Sequence, residues 1–157
     1  KIISVDIDNG LAGFYLPNKK SSGGTIALNC NDLNLPTLSH EIFHGYQDFY
    51  GQGGRSIVNE IEANLFAYSI AKEAGESTKQ TNIFAITKGN EWDDCLNSYN
   101  KKVKTLYFSP TLNNDAFNYV RDEFHSYSPK NLRGTYNEYP LQQTNQENRL
   151  ISKFYPL

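Results

Sequence analysis

His40-Glu41-Ile42-Phe43-His44 decides how this chain is read. The stretch has the form H-E-x-x-H, with Pro36 ahead of it and Gly51 behind it where a helix would begin and stop. Residues four apart on a helix lie about 40° apart around its axis, so both imidazoles leave one face, a turn apart. Such a pair can grip one Zn²⁺ ion, with Glu41 beside it as the base for a water molecule. The chain has three histidines, and two of them fall at this spacing.

Working outward, the helix is expected from about Pro36 to Tyr50, with Asn34 or Thr37 as its cap. Gln52 to Ser56 is a Gly-rich connection. The second helix is the clearest in the chain. Ile57, Ile61, Leu65, Tyr68 and Ala71 recur at helical spacing, and Gly75 closes it. Upstream, Ile2–Val5, Ala12–Leu16 and Thr25–Asn29 read as strands. The last two flank a polar, Gly/Ser-rich turn over Lys19 to Gly24, which predicts an antiparallel hairpin. Downstream, Trp92–Leu106 and Leu112–His125 read as helices, and Ser77–Trp92 fits no one pattern. The C-terminal stretch, rich in Asn, Gln, Tyr and Pro, reads as irregular and packed by aromatics.

The composition sets bounds. A chain of 157 residues with 38% hydrophobic and 13% aromatic content is long enough for one domain with a real core. Lys+Arg 15 against Asp+Glu 17 gives no reason to expect nucleic acid or an anionic membrane as partner. No apolar run approaches the ~20 residues of a membrane helix. The first residue is Lys and Met is absent, so the chain reads as a mature or trimmed fragment of a longer protein. Cys30 and Cys95 are too few for a disulfide framework. One bridge between them stays open, and two unpaired thiols is the simpler reading.

A catalytic zinc commonly takes three protein ligands and leaves the fourth position to water. The extension H-E-x-x-H-x-x-G-x-x-H fails here, because Gln47 and Tyr50 stand at its last two fixed positions. Glu60, 16 residues past His44, and Glu62 lie on the following helix. They sit about 200° apart around it, so only one can face the metal.

At this point the chain resembles the gluzincin metallopeptidases. In that family the second helix carries a ligand Glu, a small residue three on, and an Asp or Asn four on. Glu60, Ala63 and Asn64 match that pattern. The form also looks like small bacterial zincin-like domains, among them phage-repressor-cleaving peptidases and metallopeptidase domains of polymorphic toxins. The resemblance covers roughly residues 13–75. It implies an α+β, zincin-like fold: a small antiparallel or mixed sheet on an active-site helix and a glutamate helix, then a mostly helical and irregular C-terminal part. The domain is expected to be single, over residues 1–157.

The resemblance further implies Zn²⁺ held by His40, His44 and Glu60, and Asn64 accepting a hydrogen bond from a ligand imidazole. Glu41 is the expected general base for hydrolysing a protein or peptide substrate. Thr25–Asn29 is the expected strand above the cleft, to which substrate would add. For the oxyanion, the family implies a Tyr or His from the C-terminal part. His125 is the first choice, with Tyr127, Tyr136 and Tyr139 as alternatives; Tyr46 and Gln47 are expected to line the cleft. Two other functions compete: a scaffold that binds or senses with a non-catalytic zinc, and a toxin or processing module of a larger secreted protein. A secreted or cell-envelope bacterial setting is favoured over the cytoplasm.

Overall fold

The computed structural model describes residues 1–7, 12–19, 23–77, 94–127, 136–142 and 148–157, without the side chains of 94–97 and 127. The ambiguous stretch Ser77–Trp92 falls outside it from residue 78 on, as does the side chain of Cys95. Cys30 is exposed, with a free thiol.

The architecture is α+β. Among the described residues, strands β1 (Ile2–Val5), β2 (Gly13–Pro17) and β3 (Gly24–Asn29) precede four helices: α1 (Leu35–Phe49), α2 (Ile57–Glu73), α3 (Asp94–Phe108) and α4 (Asn114–Tyr127). A 3-10 turn over Leu150–Phe154 follows. The sheet is mixed, in the order β1-β3-β2, with β2 antiparallel and β1 parallel to β3. The expected hairpin is thus present. The expected role of Thr25–Asn29 as an edge is not, because β3 is the central strand, hydrogen-bonded on both sides.

Among the described residues, the edge of the sheet near α1 is β2. Ile26, opposite Tyr15, gives its N–H to Lys1 on the β1 side, whereas Asn29 gives its own to Ala12 beside β2. In an antiparallel ladder hydrogen-bonded and open pairs alternate, so Tyr15 directs its N–H off the sheet. Pro17, two residues on and facing the same way, has no N–H to offer.

The sheet packs on α1, α1 on α2, and α2 on α4 and the 3-10 turn. Asn34 caps α1, accepting from the Thr37 N–H at 2.8 Å. Gly51, at φ 73°, ends that helix in the left-handed region that favours glycine. Ser56 caps α2 three residues before Asn59. The core runs from Phe43 across Ile57, Ile61 and Leu65 to Tyr99, Leu106, Phe117 and Phe124. Tyr68 and Tyr107 stack on its flank with centroids 3.7 Å apart.

α2 is the central helix, and every residue from Ile57 to Leu65 is buried. Four of them, Asn59, Glu60, Glu62 and Asn64, are polar, so each needs a partner. The Nδ2 of Asn59 donates to the carbonyls of Gln52 and Gly54, both at 2.8 Å, pinning the turn between α1 and α2. Asn59→Ala removes a buried side chain and strips both part-buried carbonyls of their donor. It should cost about 2–3 kcal/mol in urea unfolding, with the slope unchanged. A loss under about 0.5 kcal/mol would show that the turn holds without it.

Candidate metal centre

Three donor groups converge where α1 faces α2. The Nε2 atoms of His40 and His44 lie 3.0 Å apart. Glu60 lies against both: Oε2 is 3.4 Å from His40 Nε2 and Oε1 is 3.6 Å from His44 Nε2. Among the described residues, these three form the group of His, Cys, Asp or Glu that could hold a metal ion, their ligand atoms all within 4.8 Å of one another.

The size of the triangle is informative. Four ligands at about 2.0–2.1 Å from a tetrahedral ion stand roughly 3.3–3.4 Å apart. The three spacings observed here straddle that value. Two imidazole nitrogens and a carboxylate at this separation also repel one another unless a cation, proton or metal, lies among them. The donor set and its dimensions therefore fit a metal ion of the zinc type.

Electrostatics agree in direction. Burial opposes protonation of His40, but Glu60, and behind it Glu41, more than offset it and raise its pKa. Burial pushes Glu60 up, and the two imidazoles with the Tyr136 hydroxyl outweigh it, so its carboxyl is held below the ordinary range. Glu60 thus stays ionised, as a ligand must be.

Glu41 is buried in the wall of the same cleft. Burial raises its pKa, the neighbouring imidazoles oppose that, and the outward N–H of Tyr15 donates to its carboxylate. The edge strand is thereby tied to Glu41. The Tyr15 hydroxyl also donates to Asp48 Oδ2 at 2.9 Å, and its ring lies over Gly45, where an added Cβ would stand 3.4 Å from it. A side chain larger than alanine at 45 would push β2 away from α1.

The cleft is about 510 Å³ and is lined by β2 on one side and by Arg55, Tyr136 and Tyr139 on another, with the histidines and Glu60 between them. The segment carrying the two tyrosines is anchored on the start of α2: the carbonyls of Pro140 and Leu141 accept from the N–H groups of Ile57 and Val58. The Tyr136 hydroxyl reaches Glu60 Oε2 at 3.4 Å. Burial first, and the nearby carboxylates second, hold its proton on well above the usual range, and Tyr139 is shifted the same way for the same causes.

Three expectations meet a different arrangement. His125 sits part-buried on α4 beside Phe124, and the lining of the cleft does not include it; Tyr136 and Tyr139 are there instead. The side chain of Tyr127 is outside the described residues. Asn64 donates to the carbonyl of Glu60 at 2.8 Å, within its own helix. The partner of the His44 imidazole is instead Gln47, whose Oε1 lies 2.9 Å from Nδ1. Gln47 is fully buried and does not line the cleft, and Tyr46 packs into an aromatic cluster with Phe43, Tyr50 and Phe154. Gln47 lies three residues past His44, so helix spacing alone could have flagged it.

The chain matches no family model, no curated protein and no solved structure. No helix among the described residues is long and apolar enough to cross a membrane.

Glu62 faces away from the cleft and is fully buried. Burial pushes its carboxyl up to about 7, against the pull of Gln47, the N–H groups of Ile151 and Leu150, and Arg149. A carboxyl raised on folding costs stability where it is ionised. That cost is present above about pH 7 and fades as pH falls toward the unfolded value of about 4.3. Glu62→Gln, which cannot ionise, should therefore gain melting temperature relative to the parent between about pH 5 and pH 8. Parallel melting profiles across that range would contradict this assignment.

Proposed function

We propose that this chain is a zinc-dependent peptidase with a zincin-like fold, of the gluzincin type: two histidines of H-E-x-x-H and a glutamate from the next helix. One observation carries the reading. Glu41, the three-donor cluster and the edge of β2 open onto a single cleft. A binding or sensing site would need the donors but not a buried carboxylate poised between them and a strand edge.

Zn²⁺ bound by His40, His44 and Glu60 would supply a Lewis acid that polarises the scissile carbonyl and acidifies water. An extended peptide would lie along β2, using the outward backbone groups of Gly13 and the outward carbonyl of Tyr15, whose N–H is already given to Glu41, for main-chain hydrogen bonds. Glu41 takes the proton from the attacking water and delivers it to the leaving amine. Its raised pKa brings it closer to the working pH, which favours both transfers. Tyr136 and Tyr139, held as neutral hydroxyls, face the cleft as donors for the developing oxyanion. Burial of the cleft strengthens both contributions by excluding water.

Two substitutions test this. Glu41→Gln should lower peptide hydrolysis by about 10²–10⁴-fold while leaving bound zinc at one per chain, measured by elemental analysis. Full activity in that variant would end the peptidase reading. Tyr136→Phe should reduce kcat by about 10²-fold with KM little changed, since the donor acts on the transition state. An unchanged kcat would move the oxyanion role elsewhere, with Tyr139 the next to examine.

A further inference from the structure

Gln47 is buried, and every polar atom of its amide is engaged. Its Nε2 donates to the carbonyl of Asn59 at 3.1 Å and to Glu62 Oε2 at 3.0 Å. The Asn59 carbonyl accepts at any pH, and Glu62 accepts whenever it is ionised, so the amide has one workable orientation. Turned over, its oxygen would face two other oxygens. The remaining atom, Oε1, therefore points at His44 Nδ1, 2.9 Å away. An amide oxygen cannot donate, so Nδ1 carries the proton. In the neutral ring Nε2 then holds the lone pair, and Nε2 is the atom that faces His40 and Glu60.

Glu62 is held in turn. Its Oε1 accepts from the N–H of Ile151 at 3.5 Å, across 89 residues of chain. The 3-10 turn near the C-terminus is thereby joined to the imidazole through two side chains. The same hydrogen bonds tie α1 to α2, a task that apolar packing could also perform. A leucine would fill the space of Gln47, and a buried glutamate carries a desolvation cost that an apolar residue avoids.

We infer that Gln47 and Glu62 are a positioning pair that fixes the tautomer of His44 and aims its Nε2 at the metal. The tautomer part rests on the hydrogen bonds alone; the metal part rests on the zinc reading above. Such partners orient a ligand ring and raise its basicity, and losing one commonly lowers metal affinity 10- to 100-fold.

The test uses the full chain, metal-free and ¹⁵N-labelled at histidine, read by long-range ¹H–¹⁵N correlation near neutral pH. Wild-type His44 should appear as one tautomer, protonated on Nδ1. Gln47→Leu should populate both tautomers and bind Zn²⁺ about 10- to 100-fold more weakly in competition with a chromophoric chelator. Melting of the metal-free protein checks that the variant is folded. The double substitution Gln47→Glu with Glu62→Gln reverses donor and acceptor between the pair and leaves the Asn59 carbonyl without its side-chain donor, yet still offers His44 an oxygen. It should return the Nδ1–H tautomer and bring zinc affinity to within about tenfold of the parent, and it carries the test if Gln47→Leu does not fold. An Nε2–H tautomer in the parent, or an unchanged tautomer with zinc affinity within about threefold in Gln47→Leu, would overturn the inference. If the parent binds no zinc but loses its single tautomer in Gln47→Leu, the zinc reading fails and the positioning role stands.

Discussion

The close approach of two imidazole nitrogens and a carboxylate, all within 4.8 Å of one another, is the interaction on which the rest of this structure depends. Left to themselves these groups repel or must share a proton, and burial makes either outcome expensive. They stay together because the surrounding chain leaves them no alternative. α1 presents both histidines on one face, and the short connection to α2 returns Glu60 against them. Asn59 ties that connection down, and Gly51 allows the chain to leave α1 where it does. The first half of α2 is buried all round, so its polar side chains each point to a distinct task. Asn59 holds the turn, Glu60 meets the histidines, Glu62 meets Gln47, and Asn64 bonds back to its own helix.

Helix spacing made much of this legible before any coordinates. His40 and His44, four apart, had to share a face, and the gap to Glu60 allowed an antiparallel return. The 200° between Glu60 and Glu62 meant that one of them would face elsewhere, and Glu62 does. Strand runs, the hairpin between β2 and β3, and the helix caps were also readable, because each rests on local chemistry within a few residues.

What stayed hidden is what depends on long-range pairing. Strand order cannot be read from three short apolar runs, so the strand just before α1 was a natural but mistaken choice for the edge. It lies in the middle because β1 adds in parallel on its far side. The same limit applies to the tyrosines. His125 has the scarcer chemistry, and Tyr136 has the position, given by two carbonyls of its own segment that cap α2. Gln47 was hidden for a different reason: it stands where the longer motif has its glycine and reads as a residue lining the cleft, and a polar residue that supports an imidazole looks much like one that is merely polar. Its burial, visible only in three dimensions, separates the two.

The central claim is that His40, His44 and Glu60 bind one zinc ion. X-ray absorption at the zinc edge of the loaded protein tests it most directly. The account predicts a first shell of about four nitrogen and oxygen atoms near 2.0 Å, with the multiple scattering of two imidazoles and no sulfur. A shell containing sulfur near 2.3 Å, or six oxygens without imidazole, would contradict it.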